Sequence, residues 1–326
     1  MRVLAFLFAA ILVSASAAES FKLSAPRQFQ GMCSASGAVA LDEKHFAVAD
    51  DEGNQIRIYH NQRAGMPLKT IDLTSFLELD ARHAETDLEG AARIGDRIYW
   101  IGSHGRNPEG KVRPSRQRFF ATDISGKKNQ FDLAPAGRPY KGLLTDLSTE
   151  PKFKSFHFEE AALRSPKQPG ALNIEALAAA PDGHLLIGFR NPIPEGRALI
   201  IPLLNPDEVI AGKRPRFGEA LRPDLDGLGI RDMAYVRGGY LIIGGHFDGQ
   251  GHSKLFRWSG GDDQPSQLDV KHFKQFNPEA MVTYPKRGWD AVQVLSDDGS
   301  LANEGQRCKD QKDPRAQSFR SFWVSF

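Results

Sequence analysis

Ser36-Gly37-Ala38-Val39, Glu89-Gly90-Ala91-Ala92, Glu175-Ala176-Leu177-Ala178, Asp232-Met233-Ala234-Tyr235 and Glu279-Ala280-Met281-Val282 share one pattern: a small or acidic residue opens a short, mostly apolar run. In the first four copies a second apolar run ends fourteen residues after the opening residue, at Asp50, Ser103, Phe189 and His246, just before a polar loop. The fifth copy is stretched by Pro285-Lys286-Arg287 and ends at Ser296-Asp297-Asp298-Gly299. An up-and-back unit repeated at intervals of tens of residues predicts a stacked or circular array, because each unit buries its apolar faces only against its neighbours.

Between the paired runs stand Gly95-Asp96, Pro181-Asp182-Gly183 and Arg237-Gly238-Gly239, which are hairpin turn signals. Third strands are expected at Gln55 to Tyr59, Arg118 to Ile124, Arg197 to Leu203 and Lys254 to Trp258, with weaker fourth strands around Leu68 to Leu73, Gln130 to Leu133 and Gln267 to Val270. Four-stranded antiparallel units repeated radially are the blades of a β-propeller. The expectation is therefore an all-β chain forming a single β-propeller of five blades. A sixth blade stays open as an alternative, because Glu89 and Glu175 are 86 residues apart whereas Asp232 and Glu279 are 47 apart. That extra length is read as a short helical insertion near residues 137–165, since Tyr140 to Leu147 and Phe156 to Leu163 suit short helices and prolines precede them. The last blade finds no third strand until Ser321-Phe322-Trp323-Val324-Ser325-Phe326, and its fourth is expected from Phe21 to Ser24. The two ends of the chain then close the ring within one blade.

Met1-Arg2, the apolar stretch Val3 to Val13 and the small residues Ser14 to Ala18 have the order of a secretory signal peptide, residues 1–17, cleaved near Ala17 or Ala18. The apolar stretch is too short to span a bilayer. Residues 18–326 are then one propeller domain, expected as a periplasmic or secreted monomer with no stable membrane insertion. Lys and Arg number 42 against 40 Asp and Glu, and Arg2 leaves with the leader, so a general nucleic-acid binder is disfavoured. The two cysteines, Cys33 and Cys308, flank the repeats. In an oxidising compartment they read as a disulfide, since a circular fold brings its ends together, with two unrelated thiols as the alternative.

In an antiparallel hairpin the start of the first strand and the end of the second share one edge. Glu89, Glu175, Asp232 and Glu279 are therefore expected to ring one mouth of the central channel, with the loops that begin at Asp50, Ser103, Phe189, His246 and Ser296 around them. Carboxylates gathered in this way repel, raise one another's pKa, or share a cation. A divalent ion such as Ca²⁺ on Glu89, Glu175 and Glu279 is the cofactor this implies. The competing reading is structural: loop amides or arginines satisfy the acids, and Arg231 stands beside Asp232. Ser103, His104, Arg106, Asn107, Arg190, Asn191, His246 and Asp248 complete a mixed polar mouth whose guanidinium groups suit phosphate or carboxylate. Nucleophilic catalysis has little support, because Ser103 and His104 face opposite ways on a strand and no Gly-x-Ser-x-Gly elbow is present. No catalytic residue is assigned.

Several segments resemble the bacterial domain-of-unknown-function 3616 family. They are Asp87-Leu88-Glu89-Gly90, Ile101-Gly102-Ser103-His104 with Arg113 to Arg118, Leu172 to Leu177, Leu186-Ile187-Gly188-Phe189-Arg190 with Ala198 to Leu203, and Gly229-Ile230-Arg231-Asp232-Met233. The resemblance covers nearly the whole mature chain and implies a β-propeller without an established activity. More distantly the glutamate-led repeats are similar to secreted phytase-like and esterase-like propellers, a likeness of fold that transfers no catalytic residue. The expected function is binding of a small anionic or sugar-like ligand at the channel mouth. The alternatives are a metal-assisted phosphoester or ester hydrolase and a protein-interaction scaffold.

Overall fold

A computed structural model of the protein describes residues 21–79, 85–270, 273–303 and 305–326. Residues 1–17, expected as a signal peptide, lie outside the described residues. Five antiparallel sheets succeed one another along the chain as blades, and a small sixth sheet pairs Ala302–Asn303 with Gln306–Arg307. The first blade comprises Ala35–Ala40, His45–Asp50, Gln55–His60 and Lys69–Asp72. The second comprises Leu88–Ile94, Arg97–Gly102, Phe119–Ser125 and Asp132–Tyr140. The third has Asn173–Ala179, Leu185–Asn191 and Leu199–Leu203, with single bridges to Leu221 and Phe217 in place of a fourth strand. The fourth has Gly229–Val236, Gly239–Gly245, Lys254–Trp258 and Ser266–Leu268. In the fifth, Pro278–Val282 and Ala291–Ser296 are followed by Ser318–Ser325, whose far edge pairs with both Arg27–Gln30 and Lys22–Leu23. The N- and C-terminal segments thus complete one blade, and the first strands of all five blades contact one another in a closed ring.

Burial follows from alternation. Along Arg97–Gly102, Ile98 and Trp100 face the first blade, where they pack with Ala47 and Ile56, while Tyr99 and Ile101 face the third, where they pack with Ile174 and Ile187. Side chains of successive strand residues point to opposite faces, and both faces here are covered, so the run reads as continuously apolar. Apolar clusters of this kind fill all five junctions between blades. At the axis the backbones nearly touch: a Cβ on Gly37 would lie 2.6 Å from the carbonyl carbon of Gly90, and one on Gly90 would lie 2.8 Å from the nitrogen of Leu177.

A disulfide joins Cys33 to Cys308, with Cα atoms 5.8 Å apart. The helical insertion consists of Leu143–Thr149, a 3₁₀ turn at Pro151–Phe156 and Phe158–Ala161, and it packs Leu143, Leu147, Phe153 and Phe158 between the second and third blades. Its start differs from the expected residue 137: Asp132–Tyr140 is the outer strand of the second blade, and Pro135 pairs there with Thr122. Proline is tolerated because an outermost strand has no further neighbour needing its N–H. A helix at Pro206–Ile210 was not expected from the sequence. Among the described residues no helix is long and apolar enough to cross a membrane.

Candidate functional site

Every first strand carries a register break near its start, falling between Ala35 and Ala38, Leu88 and Gly90, Ile174 and Ala176, Ile230 and Asp232, and Pro278 and Ala280. Such a bulge leaves an extra residue unpaired and re-aims its side chain. The bulged residues are Ser36-Gly37, Glu89, Glu175, Arg231 and Glu279. This corrects the expected ring, because in the fourth blade the position equivalent to the glutamates belongs to Arg231. Asp232, one residue on, lines the cavity at the opposite end of the channel and accepts the backbone N–H of Met281 on Oδ2 at 2.6 Å.

Glu89, Glu175, Arg231 and Glu279 form the floor of a cavity of about 940 Å³, whose walls carry Asp51, Asp87, Arg116, Asn173, Arg190, Asn277 and Asp297. Arg190 donates to Glu175 Oε1 at 2.6 Å and, through Nε, to the carbonyl of His246 at 2.9 Å. Asn173 donates to the same Glu175 oxygen at 2.7 Å. Arg231 pairs with Glu279, donates to Asn277 Oδ1 at 2.6 Å, and holds its Nε 3.8 Å from Glu175 Oε2. Arg116 pairs with Asp87 at 2.7 Å and with Glu85. Among the described residues nothing donates to Glu175 Oε2 or Asp51 Oδ1.

Acids outnumber their cations on this floor, and burial removes the water that would stabilise them. Burial is the first cause of each upward shift that follows. The carboxyl of Glu279 is pushed up to about 8, with Asp297 and Glu175 adding to burial and Arg231 opposing it. Asp87 is raised to about 7 despite Arg116 and Ser103, which favour its ionised form. Glu89 is raised well above the ordinary value by burial and then by Asp87, Glu175 and Glu279. Asp51 is raised likewise by burial and then by Asp297, Asp50 and Glu279.

Of the expected site residues, Glu89, Glu175, Glu279, Arg190 and Asn107 reach this cavity. The others are occupied elsewhere. Ser103 accepts the Gly105 N–H at 3.2 Å and supports Asp87 from behind. His104 is buried with Nδ1 on the Gly102 carbonyl at 2.8 Å. Arg106 donates to the carbonyls of Ala162 and Gly110 at 2.8 and 2.9 Å, tying its loop to the helical insertion. Asn191 donates to the carbonyls of Pro166 and Gln168 at 3.1 and 2.7 Å. His246 is exposed and offers its carbonyl to Arg190, while Asp248 accepts the N–H of Gln250 at 2.8 Å in a local turn. Asp51, Asp87, Asn173, Arg231, Asn277 and Asp297 line the cavity too, although none was an expected site residue. Each adjoins or lies two positions from a repeat landmark, which is the signal that could have found them.

Residues 35–118 and 122–295 match the family described as "Protein of unknown function (DUF3616)". The chain belongs to the DUF3616 family. Among curated proteins none matches this DUF3616 chain. A PQQ-bound aldose sugar dehydrogenase from Streptomyces coelicolor is 12% identical with a TM-score of 0.46, over 94% of this chain and 99% of that one. A glutaminyl cyclase from Myxococcus xanthus is 11% identical with a TM-score of 0.47, over 94% of this chain and 97% of that one. At such identities and scores neither bears on the chemistry of the DUF3616 propeller.

Proposed function

We propose that this propeller is an exported binding protein that captures a small anionic or sugar-like molecule in the cavity at the channel mouth. The observation that carries the reading is the cavity itself: about 940 Å³ of space on a rigid ring, walled by polar side chains from every blade. Lys167, Lys274 and Arg113 stand on its wall, and among the described residues none of the three has an ion-pair partner. They supply positive charge to an incoming anion, while the amides of Asn107, Asn173 and Asn277 suit hydroxyl groups. Export belongs to the proposal and is supported by the leader-like N-terminus and by a disulfide, a bond that persists in oxidising compartments.

The test is a thermal-shift and calorimetric panel of carboxylates, sugar phosphates and neutral sugars. An anionic ligand is expected to bind wild type and to lose about tenfold in affinity, about 1.4 kcal/mol, in the Lys167→Gln/Lys274→Gln variant. A neutral sugar is expected to be indifferent to that change. A panel with no binder, or an anion held equally by both proteins, overturns the reading.

A further inference from the structure

Three carboxylates on the cavity floor come from three blades, and one oxygen from each of Glu89, Glu175 and Glu279 lies within 4.8 Å of the other two. Proximity alone does not make a cation site, since guanidinium groups can consume every oxygen. Here they do not. Arg190 and Asn173 both occupy Glu175 Oε1, which leaves Oε2 without a hydrogen-bond donor although Glu175 is only 2% exposed. Glu89 is 8% exposed, and among the described residues no hydrogen bond or ion pair reaches its carboxylate. The first blade places Ser36-Gly37 at the equivalent bulge, so no basic side chain fills the ring between Glu89 and Glu279.

We propose that Glu89, Glu175 and Glu279 hold one divalent cation, with calcium preferred over magnesium. Arg190 and Arg231 then act as orienting groups behind the ligands, fixing the carboxylates of Glu175 and Glu279, much as outer partners orient ligands in other metal sites. The choice of metal follows from span. Calcium takes oxygens at about 2.3–2.6 Å, so ligand atoms on opposite sides of it stand about 4.6–5.2 Å apart. Magnesium at about 2.0–2.1 Å allows only about 4.2 Å and demands near-ideal octahedral geometry. Oxygens no more than 4.8 Å apart all lie within the calcium span, whereas magnesium requires them to close to about 4.2 Å or less. The all-oxygen donor set disfavours zinc and copper. This goes beyond the ligand proposal, because the ion needs no organic ligand to bind.

The test uses the purified protein, stripped with chelator, and titrates calcium or magnesium alone by calorimetry and thermal unfolding. Wild type is expected to bind one calcium, to unfold at higher temperature with it, and to take magnesium about tenfold more weakly. Glu89→Gln removes a ligand charge without breaking a hydrogen bond, and is expected to weaken calcium about tenfold or more with an unchanged circular dichroism spectrum. Absence of both heat and thermal shift in wild type at millimolar calcium overturns the proposal, whatever the variant does. Calcium binding that Glu89→Gln and Glu279→Gln both leave unchanged overturns it as well. Repeating the sugar and carboxylate panel in chelator separates failure of this site from failure of the ligand reading.

Discussion

Arg231 of the fourth blade pairs with Glu279 of the fifth inside the channel, at the bulge where the repeat pattern alone puts Asp232. Both partners are buried, so each depends on the other for its charge. Removing one partner of such a pair leaves an uncompensated buried ion, which costs far more than a surface pair. Arg231→Met is therefore expected to lower unfolding free energy by about 3–5 kcal/mol at pH 9, above the raised value of Glu279. At pH 6 Glu279 takes up its proton and the loss shrinks. Urea denaturation at the two pH values reads this directly, and an equal loss at both refutes the charge argument.

How much of this was legible before the structure divides along one physical line. Blades, hairpins and closure were readable because each rests on a local pattern: apolar runs, turn glycines, and strand-like ends with nothing else to pair. The glutamates were readable for the same reason, as first residues of their runs. Arg231 was not, because a bulge shifts the register by one residue and leaves no trace in the alternation of apolar positions. The outer strand containing Pro135 was hidden by a residue that is excluded from central strands and harmless at an edge. Asp51, Asp87 and Asp297 sit just off the strand ends, where only the closed ring brings them together.

The crowding of backbones at the axis makes a second prediction. Gly37→Ala would place a Cβ 2.6 Å from the Gly90 carbonyl carbon, a backbone atom that cannot swing aside. Overpacking of this kind destabilises by about 1–3 kcal/mol, and the rigid ring puts this site at the upper end. Gly53→Ala is the control: its Cβ would meet only the Asp50 carboxylate, at 4.0 Å, and is expected to change stability by less than about 0.5 kcal/mol. Chemical denaturation of both variants checks the pair, and equal effects refute the steric account.

The disulfide predicts a loss of stability without loss of fold. Cys33 and Cys308 are separated by 275 residues, and in the chain-entropy model such a cross-link restrains the unfolded chain by roughly 5 kcal/mol. The native ring is closed independently, by the pairing of Arg27–Gln30 with Ser318–Ser325. The Cys33→Ser/Cys308→Ser variant is thus expected to keep its β-sheet spectrum while unfolding at lower temperature. A wild-type melting temperature in that variant refutes the prediction.

Two buried groups pull the pH profile in opposite directions across one window. Burial, with Arg118 adding to it, drops His104 from 6.5 to about 4, although its bond to the Gly102 carbonyl opposes the shift. Between those values the unfolded chain binds a proton that the folded one refuses, so His104 removes up to about 3 kcal/mol of stability as pH falls from 6.5 to 4. Asp232 behaves in reverse. Burial raises it from 3.8 to about 7 despite the N–H groups of Met281 and Met233, so the folded state keeps a proton that the unfolded state releases. Its contribution is intact below pH 3.8 and is lost, by up to about 4 kcal/mol, as pH rises to 7. In wild type the two slopes oppose each other while Asp87, Glu279, Glu89 and Asp51, raised like Asp232, add to its direction, so each group is read as a difference between variant and wild type. His104→Asn keeps a residue type that tolerates the local φ of +57° and is expected to gain stability relative to wild type on acidification from pH 6.5 to 4. Asp232→Asn keeps an acceptor for Met281 and is expected to lose stability relative to wild type over the same acidification, with the variant outperforming wild type most at pH 7 and above. Denaturant unfolding across pH 4–8 for the three proteins decides the matter: parallel profiles would mean that neither group's proton is linked to folding.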